Sequence, residues 1–356
     1  MSDLERVLAL TEELLRIESV TGDEGELGDW LEARLRQRDP HTLIRAGHSL
    51  CFAMRPPDPD KATLMLVGHT DTVPPADENP VRRQDDCLFG LGASDMKAAD
   101  AVLLDAIERD PDCRYNLVGV LYAREEGPFV DSEMPQIIEA ASDWFDRTDL
   151  AVCMEPTDNQ LELGCLGTCH ATVRFGGQRA HSARPWQGDN AIHKAAGLLT
   201  TLAGLEREEH LFHGLTFYEV LSATMVDYRG ARNVVPEEFV VNVNYRFAPD
   251  KDEADVRARL DSLVGEDATY ELDDFCPAGR VCGDNPLLED LREVAPSDLS
   301  VRAKQAWTDV GRLSRLGIDA INWGPGATSQ AHQAGEWVSI EAIERSRVTL
   351  AAWLGG

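Results

Sequence analysis

The most restrictive feature of the sequence is an apolar segment, "ATLMLVGH" at residues 62–69, which ends in a histidine and is followed by "TDTVPP". A continuous apolar run of this length is typical of a central strand that is covered on both faces of a sheet. The run ends at His69, and Asp71 follows one residue later, before a proline turn. These two side chains indicate either a functional edge of the sheet or a capped turn.

Other segments of the first half repeat this pattern. "YNLVGVLYAREEG" and "TDLAVCMEPT" are apolar runs that end in charge, and helical patterns such as "DMKAADAVLLDAIERD" lie between the predicted strands. Strands that alternate with helices predict an α/β domain with a mostly parallel sheet and helices on both faces.

The hydrophobic pattern of the sequence changes after about Leu166. Residues 167–280 show alternating, half-exposed strands and two helices in the order β-α-β-β-α-β, which predicts a ferredoxin-like α+β domain. We expect this domain to be inserted into a catalytic α/β domain formed by residues 1–166 and 281–356. In the last part, the pattern predicts a helix over "VRAKQAW", a helix over "VGRLSRLG", a strand over "IDAINWGPG" and a final helix.

Charge and composition exclude several classes of protein. The net charge of −29 would repel a phosphate backbone, so nucleic-acid binding is disfavoured. The sequence has no apolar run long enough to cross a membrane and no basic leader, which predicts a cytoplasmic protein. The eight cysteines form no C-x-x-C pair and are expected to be small buried apolar residues. The acidic, lysine-poor composition is compatible with a high-salt source or with a genome-wide bias.

Metal-capable side chains follow the apolar strands and a glycine-rich turn, "GLGASDMKAAD". Since the carboxyl ends of parallel strands line the ligand crevice of an open α/β sheet, these side chains are expected to converge. Two imidazoles and three carboxylates without thiolate suit zinc, or cobalt or manganese in its place. Five donors are too many for one tetrahedral ion that also binds water, so we predict two ions that share one carboxylate, with Asp95 as the bridge. The predicted ligands are His69, Asp95, Glu126, Glu155 and His332.

Two neighbours of these ligands have predicted roles of their own. Asp71 is expected to accept the second ring N–H of His69, which would fix the tautomer of the imidazole. Glu125 is expected to be the general base that takes a proton from a metal-activated water and hands it to the leaving amine. Each residue alone has a simpler interpretation as a capped turn, a helix N-cap, a loop charge or a surface residue, and only their joint pattern favours a site.

Several motifs resemble those of the zinc aminoacylase and carboxypeptidase family, and within it the desuccinylases of the actinobacterial type. The similar segments run from the first helix to the last: "GHTDTVP", "GLGASDMKAA", "REEG", "MEPT", "GQRAHSARP", "GARNVVPEE", "WTDVGRLSRLGIDAINWGPG" and "AHQAGEW". The resemblance implies that His69 and Glu155 hold one zinc ion and that Glu126 and His332 hold the other. Asp95 would bridge the two ions and precede a cis peptide bond.

The resemblance also implies that the inserted domain forms a homodimer and contributes to the site. His181 would reach the active site of the partner subunit and stabilise an oxyanion there. Asn233 and Arg246 would bind substrate, Arg184 would suit a carboxylate at the far end of the substrate, and Gly326 is a further substrate-binding candidate. Leu91 and Arg124 depart from the family pattern, which leaves the substrate more open than the chemistry.

The resemblance implies an amidohydrolase that uses two zinc ions per subunit, with cobalt as a substitute. Its reaction would be the hydrolysis of N-succinyl-LL-2,6-diaminopimelate to succinate and LL-2,6-diaminopimelate, in the synthesis of lysine and peptidoglycan precursors. The alternatives are acetylornithine deacetylase, another N-acyl amino acid deacylase or a dipeptidase. From other classes, a non-catalytic metal-binding dimer and a zinc-independent ligand-binding protein stay open.

Overall fold

A computed structural model describes residues 1–109, 113–228 and 230–355. The chain divides into two compact units, which are Met1–Gly164 with Arg280–Arg302 and Thr308–Gly356, and Cys165–Gly279 with Ala303–Trp307. The short segment Ala303–Trp307 therefore groups with the second unit, whereas the sequence pattern predicts it in the α/β domain.

The described part of the first unit is built on an eight-stranded mixed sheet. Its central strands are parallel to one another, and antiparallel pairs flank them on both sides. In spatial order the strands are Thr42–Ala46, Ser49–Ala53, Asn116–Tyr122, Thr63–His69, Leu150–Cys153, Ala320–Asn322, Leu161–Leu163 and Val301–Ala303. A small antiparallel sheet is formed by Trp337–Ser339, Cys87–Phe89 and Arg82–Gln84.

Helices of the first unit follow the predicted alternation with strands. Side-chain caps define several of their starts, since Ser2, Asn285 and Ser339 each accept an N–H bond from the first turn of a helix. The α-helices are Asp3–Arg16, Gly25–Arg36, Ala98–Glu108, Met134–Ala140, Ser142–Phe145, Pro286–Val294, Val310–Arg315 and Ile340–Leu354. The predicted end of the third helix, Asp110, lies outside the described residues.

The strand Thr63–His69 explains how the first unit positions its functional side chains. All seven of its residues are buried, as expected for a strand covered on both faces. It lies parallel to Asn116–Tyr122, with His69 opposite Tyr122, and also parallel to Leu150–Cys153. The three strands therefore end at the same edge of the sheet. The predicted α/β fold is confirmed.

One predicted element of the first unit is wrong. "VRAKQAW" forms no helix, because Val301–Ala303 pairs as the edge strand of the sheet. The helix in this region is Pro286–Val294, where Pro286 occupies the first turn and Asn285 is the cap. The alternating small and polar residues of "VRAKQAW" are compatible with either structure, and the free edge of the sheet determines the strand.

The second unit is an antiparallel sheet with two helices, Ala191–Gly204 and Glu253–Val264, packed into a common core with the sheet. The predicted order β-α-β-β-α-β is present, with one additional strand, Glu208–Phe212, that the sequence pattern missed. In spatial order the strands are Glu208–Phe212, Leu215–Asp227, Glu238–Phe247, Gly167–Gly176 and Ala268–Cys276. A separate two-stranded ribbon pairs Ala180–His181 with Val234–Val235.

Two expectations from composition concern the whole chain. Seven of the eight cysteines are buried and Cys87 is half-buried, in agreement with their predicted role as small apolar residues. Within the described ranges, no helix has both the length and the apolar character needed to cross a membrane.

Candidate metal centre

The predicted ligands of the first unit converge at the edge where the parallel strands end. His69 is the last residue of its strand, Glu126 follows the strand Asn116–Tyr122, and Glu155 follows Leu150–Cys153. His69 and Glu155 are buried, and the side chain of Glu126 is 8% exposed. Three neighbouring strand ends thus deliver nitrogen and oxygen donors to one place.

Two groups of three donors share the carboxylate of Asp95. In the first group, ligand atoms of His69, Asp95 and Glu155 lie within 4.8 Å of one another. His69 Nε2 is 3.1 Å from Asp95 Oδ1. In the second group, Asp95, Glu126 and His332 meet the same limit. His332 Nε2 is 2.9 Å from Glu126 Oε2 and 3.7 Å from Asp95 Oδ2. The two oxygens of Asp95 therefore face different histidines.

The tautomer of His69 follows from its two neighbours. Nδ1 lies 3.0 Å from the backbone carbonyl oxygen of Asp71, which can only accept a hydrogen bond. Nδ1 is therefore the protonated nitrogen in the neutral ring, and Nε2, which faces Asp95, is available as a ligand. The carboxylate oxygen Oδ1 of Asp71 is farther from Nδ1, at 3.6 Å.

The carboxylate of Asp71 has contacts that the sequence did not indicate. It accepts the backbone N–H groups of Glu125 at 2.9 Å and Glu126 at 3.0 Å, and the hydroxyl of Thr21 at 2.9 Å. Burial tends to raise the pKa of Asp71, but His69 and these two amides outweigh it and hold the pKa below its ordinary value. An ionised Asp71 thus anchors the segment that carries both glutamates.

Negative charge is concentrated in the cluster. Burial, with the carboxylates of Glu155 and Glu126 nearby, raises the pKa of Glu125 well above its ordinary value, although His69 opposes the shift. The hydrogen bond with Glu126 raises the pKa of His332 to about 9. The shift of His332 reflects the carboxylates that face it, whereas burial is the largest cause for Glu125. Two imidazoles with three carboxylates, grouped around one shared Asp95, fit a pair of divalent metal ions.

The turn that carries Asp95 approaches its neighbours closely. The peptide bond between Asp95 and Met96 is cis, as the family resemblance implies. Gly326 packs directly on this turn, because a Cβ atom at Gly326 would lie 2.1 Å from the carbonyl oxygen of Ser94. Gly326 is also buried. Its lack of a side chain allows its backbone to pass beside the turn that carries Asp95.

Three predicted site residues of the second unit lie on or beside its two-stranded ribbon. His181 is exposed, and its Nδ1 accepts the backbone N–H of Ala183 at 3.1 Å. In the neutral ring the proton is therefore on Nε2, which can act as a donor. The carbonyl oxygen of Asn233 accepts the N–H of Ser182 at 2.9 Å, and exposed Arg184 follows three residues after His181.

Arg246 lies apart from that ribbon, on the strand Glu238–Phe247 of the five-stranded sheet. Its Nε donates to the side-chain oxygen of Asn244 at 3.3 Å, and its side chain is half-buried.

Sequence reasoning missed one buried acidic residue at this centre, Glu336. Its carboxylate accepts backbone N–H bonds from the turn that carries Asp95. The residue lies within the motif "AHQAGEW", four positions after His332. A charged residue directly before the apolar strand residues of Trp337–Ser339 is the only local signal, and it resembles an ordinary strand start.

Comparison with known proteins gives a consistent result. The model of peptidase family M20/M25/M40 matches residues 65–355. A curated relative from Mycobacterium tuberculosis, provisionally assigned as a succinyl-diaminopimelate desuccinylase, is 38% identical over 98% of this chain and 98% of its own length. A succinyl-diaminopimelate desuccinylase from Corynebacterium glutamicum is 32% identical over 94% of this chain and 92% of its own length.

Solved structures agree in fold. The aminopeptidase PepT from Bacillus cereus has a TM-score of 0.78 at 16% identity and covers 99% of this chain and 98% of its own. A dinuclear metal-binding peptidase from Bacillus subtilis has a TM-score of 0.73 at 12% identity, with 99% of this chain and 97% of its own covered. At these identities the likeness concerns the fold alone.

Proposed function

Because the chain belongs to peptidase family M20/M25/M40, we propose that it is a two-metal amidohydrolase that removes succinate from N-succinyl-LL-2,6-diaminopimelate. The observation that carries the proposal is the pair of donor groups that share Asp95, with Glu125 beside them. The desuccinylase names of two relatives that are similar over nearly their full length support this substrate.

In this proposal each subunit holds two zinc ions, with cobalt as a functional substitute. His69 and Glu155 would hold one ion, Glu126 and His332 would hold the other, and Asp95 would be shared. Nitrogen and carboxylate donors in this ratio are typical of catalytic zinc sites. The bound ions would polarise the amide carbonyl and lower the pKa of a water molecule toward neutrality.

Glu125 would move the proton during hydrolysis. Its carboxylate would take the proton from the attacking water and deliver it to the nitrogen of the leaving amine. Burial and the carboxylates of Glu155 and Glu126 raise the pKa of Glu125 above its ordinary value, which makes it a stronger base than an exposed glutamate. Asp71 supports this role, because its carboxylate fixes the backbone N–H groups of Glu125 and Glu126.

Residues of the second unit would bind and polarise the substrate. His181 would donate from Nε2 to the oxyanion of the tetrahedral intermediate, since its Nδ1 is occupied as an acceptor. Arg246 and Arg184 would pair with substrate carboxylates, for which a guanidinium offers two parallel N–H donors. Asn233 of the same unit and Gly326 of the first unit complete the proposed substrate-binding set.

The substrate assignment is tested by comparing two acylated amino acids. We expect the release of primary amine from N-succinyl-diaminopimelate to show a kcat/KM at least about 100-fold higher than from N-acetylornithine. A metal chelator is expected to abolish both activities, and added Zn²⁺ or Co²⁺ to restore them. A preference for N-acetylornithine would overturn the substrate, and full activity in the chelator would overturn the two-metal chemistry.

The second unit supports a homodimer through its sheet. Pairing of the strand Leu215–Asp227 with Glu208–Phe212 ends at Glu219, so residues 220–226 form an edge on that side within the described chain. Met225 and Val226 on this edge are 69% and 60% exposed. Unpaired strand edges with apolar side chains are suited to pairing with another copy of the same sheet.

Placing a charge on this edge tests the dimer. Val226→Lys is expected to shift the protein from dimer to monomer in analytical ultracentrifugation, because a lysine on a strand edge disfavours edge-to-edge pairing. Activity should fall with it, since His181 is proposed to act in the site of the partner subunit. Val348→Lys, at an exposed valine of the first unit, is the matched control. A dimer that persists in Val226→Lys would contradict this interface.

The predicted cytoplasmic location stays a prediction.

A further inference from the structure

Glu336 holds the turn that carries the shared ligand Asp95. Its carboxylate is buried, with the residue 3% exposed, and it accepts three backbone N–H bonds. Gly92 donates to Oε2 at 2.7 Å, and Ser94 and Asp95 donate to Oε1 at 2.8 Å and 3.0 Å. One side chain therefore fixes three of the four consecutive peptide groups that lead to Asp95.

The main chain of Glu336 adds two further contacts. Its carbonyl oxygen accepts the N–H of Gly90 at 3.2 Å and the side-chain N–H of Asn79 at 2.8 Å. Glu336 lies four residues after His332 on the same loop. The residue thus links the segment that carries one predicted ligand, His332, to the turn that carries another, Asp95.

We propose that Glu336 is a positioning residue for the metal centre: it holds the backbone at Asp95 and couples that turn to the His332 loop, so that Asp95 can serve both donor groups at once. This inference rests on the two-metal function proposed above. It assigns no contact between Glu336 and a metal ion or the substrate.

The chemistry of the contact explains why a carboxylate is needed. An ionised carboxylate is an acceptor only, and its two oxygens can receive several N–H donors at once. A glutamine at the same position would turn its own NH₂ group toward at least one of the three backbone donors. One donor would then be left without an acceptor in a buried place, which is costly.

The first of the three donors, Gly92, lies at a position that favours glycine. Gly92 has a φ of +79°, in the left-handed region that favours glycine. A Cβ atom at Gly92 would lie 2.6 Å from the side chain of Thr72, so a larger residue does not fit there without a shift of Thr72. Glu336 thus accepts the N–H of Gly92 from a turn whose backbone conformation favours glycine.

The test is metal binding by Glu336→Gln, measured without reference to activity. Metal-stripped protein is titrated with Zn²⁺ against a chromophoric chelator. The wild-type chain is expected to bind two ions, and Glu336→Gln to bind at least one of them about 10–100-fold more weakly, the range seen when a partner of a metal ligand is removed. Activity lost at low Zn²⁺ should return when Zn²⁺ is raised, which a general loss of folding would not allow.

Two further variants complete the design. Glu336→Asp keeps the charge but withdraws the carboxylate by one methylene, so it should also bind Zn²⁺ more weakly, and it decides the question if Glu336→Gln does not fold. Glu341→Gln, at an exposed glutamate on the following helix, should bind like the wild type. Wild-type affinity in both Glu336 variants would overturn the positioning role alone. A wild-type chain that binds no Zn²⁺ would overturn the two-metal function as well.

Discussion

The two units each contain a cluster of one histidine and two carboxylates that looks like a metal site by residue type. In the first unit these are Asp95, Glu126 and His332, and in the second they are Glu208, His210 and Glu219. In both clusters the donor atoms lie within 4.8 Å of one another. Their surroundings differ, and the difference separates a catalytic arrangement from a structural one.

The cluster of the second unit is neutralised by the chain itself. Glu219 is buried and accepts from the hydroxyl of Tyr245 at 2.8 Å, from the N–H of Ala248 at 2.7 Å, and from the ammonium of Lys251. Glu208 is paired with Arg259 at 2.7 Å. These partners occupy the carboxylate oxygens that a metal ion would need.

In the first unit, the carboxylates face imidazoles instead of a lysine or an arginine. Oxygens of Asp95 and Glu126 face the Nε2 atoms of His69 and His332. A metal ion can use both partners of such a contact as ligands, whereas the ammonium of a lysine or the guanidinium of an arginine only competes with it. The identity of the partner therefore distinguishes the clusters better than the number of acidic residues.

The largest expected effect tests whether the chemistry belongs to the first cluster. Glu125→Gln keeps the size of the side chain but removes its ability to take a proton. We expect kcat to fall by about 100- to 10,000-fold, the usual contribution of a positioned general base. Zn²⁺ binding and circular dichroism should stay unchanged, because Glu125 is outside the two donor groups that share Asp95.

An exposed glutamate of the same unit, Glu139, provides the matched control as Glu139→Gln. Its turnover should equal that of the wild type. Near-normal turnover in Glu125→Gln would show that another group moves the proton, and loss of a zinc ion would show that Glu125 is a ligand rather than the base.

The second expected effect concerns stability, and it belongs to the cluster of the second unit. Glu219→Gln should lower the free energy of unfolding at pH 7 by about 1.5–3 kcal/mol, the usual worth of a hydrogen bond to a charged group. Burial raises the pKa of Glu219, but Lys251, the amide of Ala248 and Tyr245 outweigh it and lower the pKa below its ordinary value of 4.5.

The sign of this shift sets the pH dependence. A carboxylate whose pKa is lowered by folding stabilises the folded state above pH 4.5, and the contribution is lost as the pH falls through the lower, folded-state pKa. The difference in the free energy of unfolding between the wild type and Glu219→Gln, measured with urea, should therefore become smaller below pH 4.5. Exposed Glu209→Gln is the control. If this difference stays constant as the pH falls below 4.5, the ion pair between Glu219 and Lys251 does not supply the stability.

The comparison also shows what could be predicted from the sequence. His69 and Glu155 stand out because one ends an apolar strand and the other follows one, and parallel strands bring their carboxyl ends to one edge. The α/β order and the β-α-β-β-α-β order were predictable for the same reason, since hydrophobic periodicity reports burial. The strand Glu208–Phe212 was missed because charged residues and a histidine interrupt its pattern.

Contacts between distant segments were beyond this reasoning. The carboxylate of Asp71 holds the amides of Glu125 and Glu126, more than 50 positions away, and Glu336 accepts from Asp95 across 241 positions. Backbone N–H groups leave no trace in residue type, so no sequence pattern marks which carboxylate will accept from them. The sequence predicts His69 as the partner of the Asp71 carboxylate, because His69 is the nearby residue in the chain whose ring N–H could donate to it.

The smallest expected effect is the sharpest test of the difference between the clusters. Glu208→Gln removes one donor of the second cluster, yet the zinc content of the protein, measured by mass spectrometry after dialysis, should stay at the wild-type value. The reason is that Arg259 pairs with Glu208, and Lys251 with Glu219, in the place of an ion. His332→Ala, by contrast, should lose about one zinc ion, because it removes a nitrogen donor that only His332 provides to its group. If Glu208→Gln also lowered the zinc content, the cluster of the second unit would be a third metal site, and residue type alone would have been the better guide.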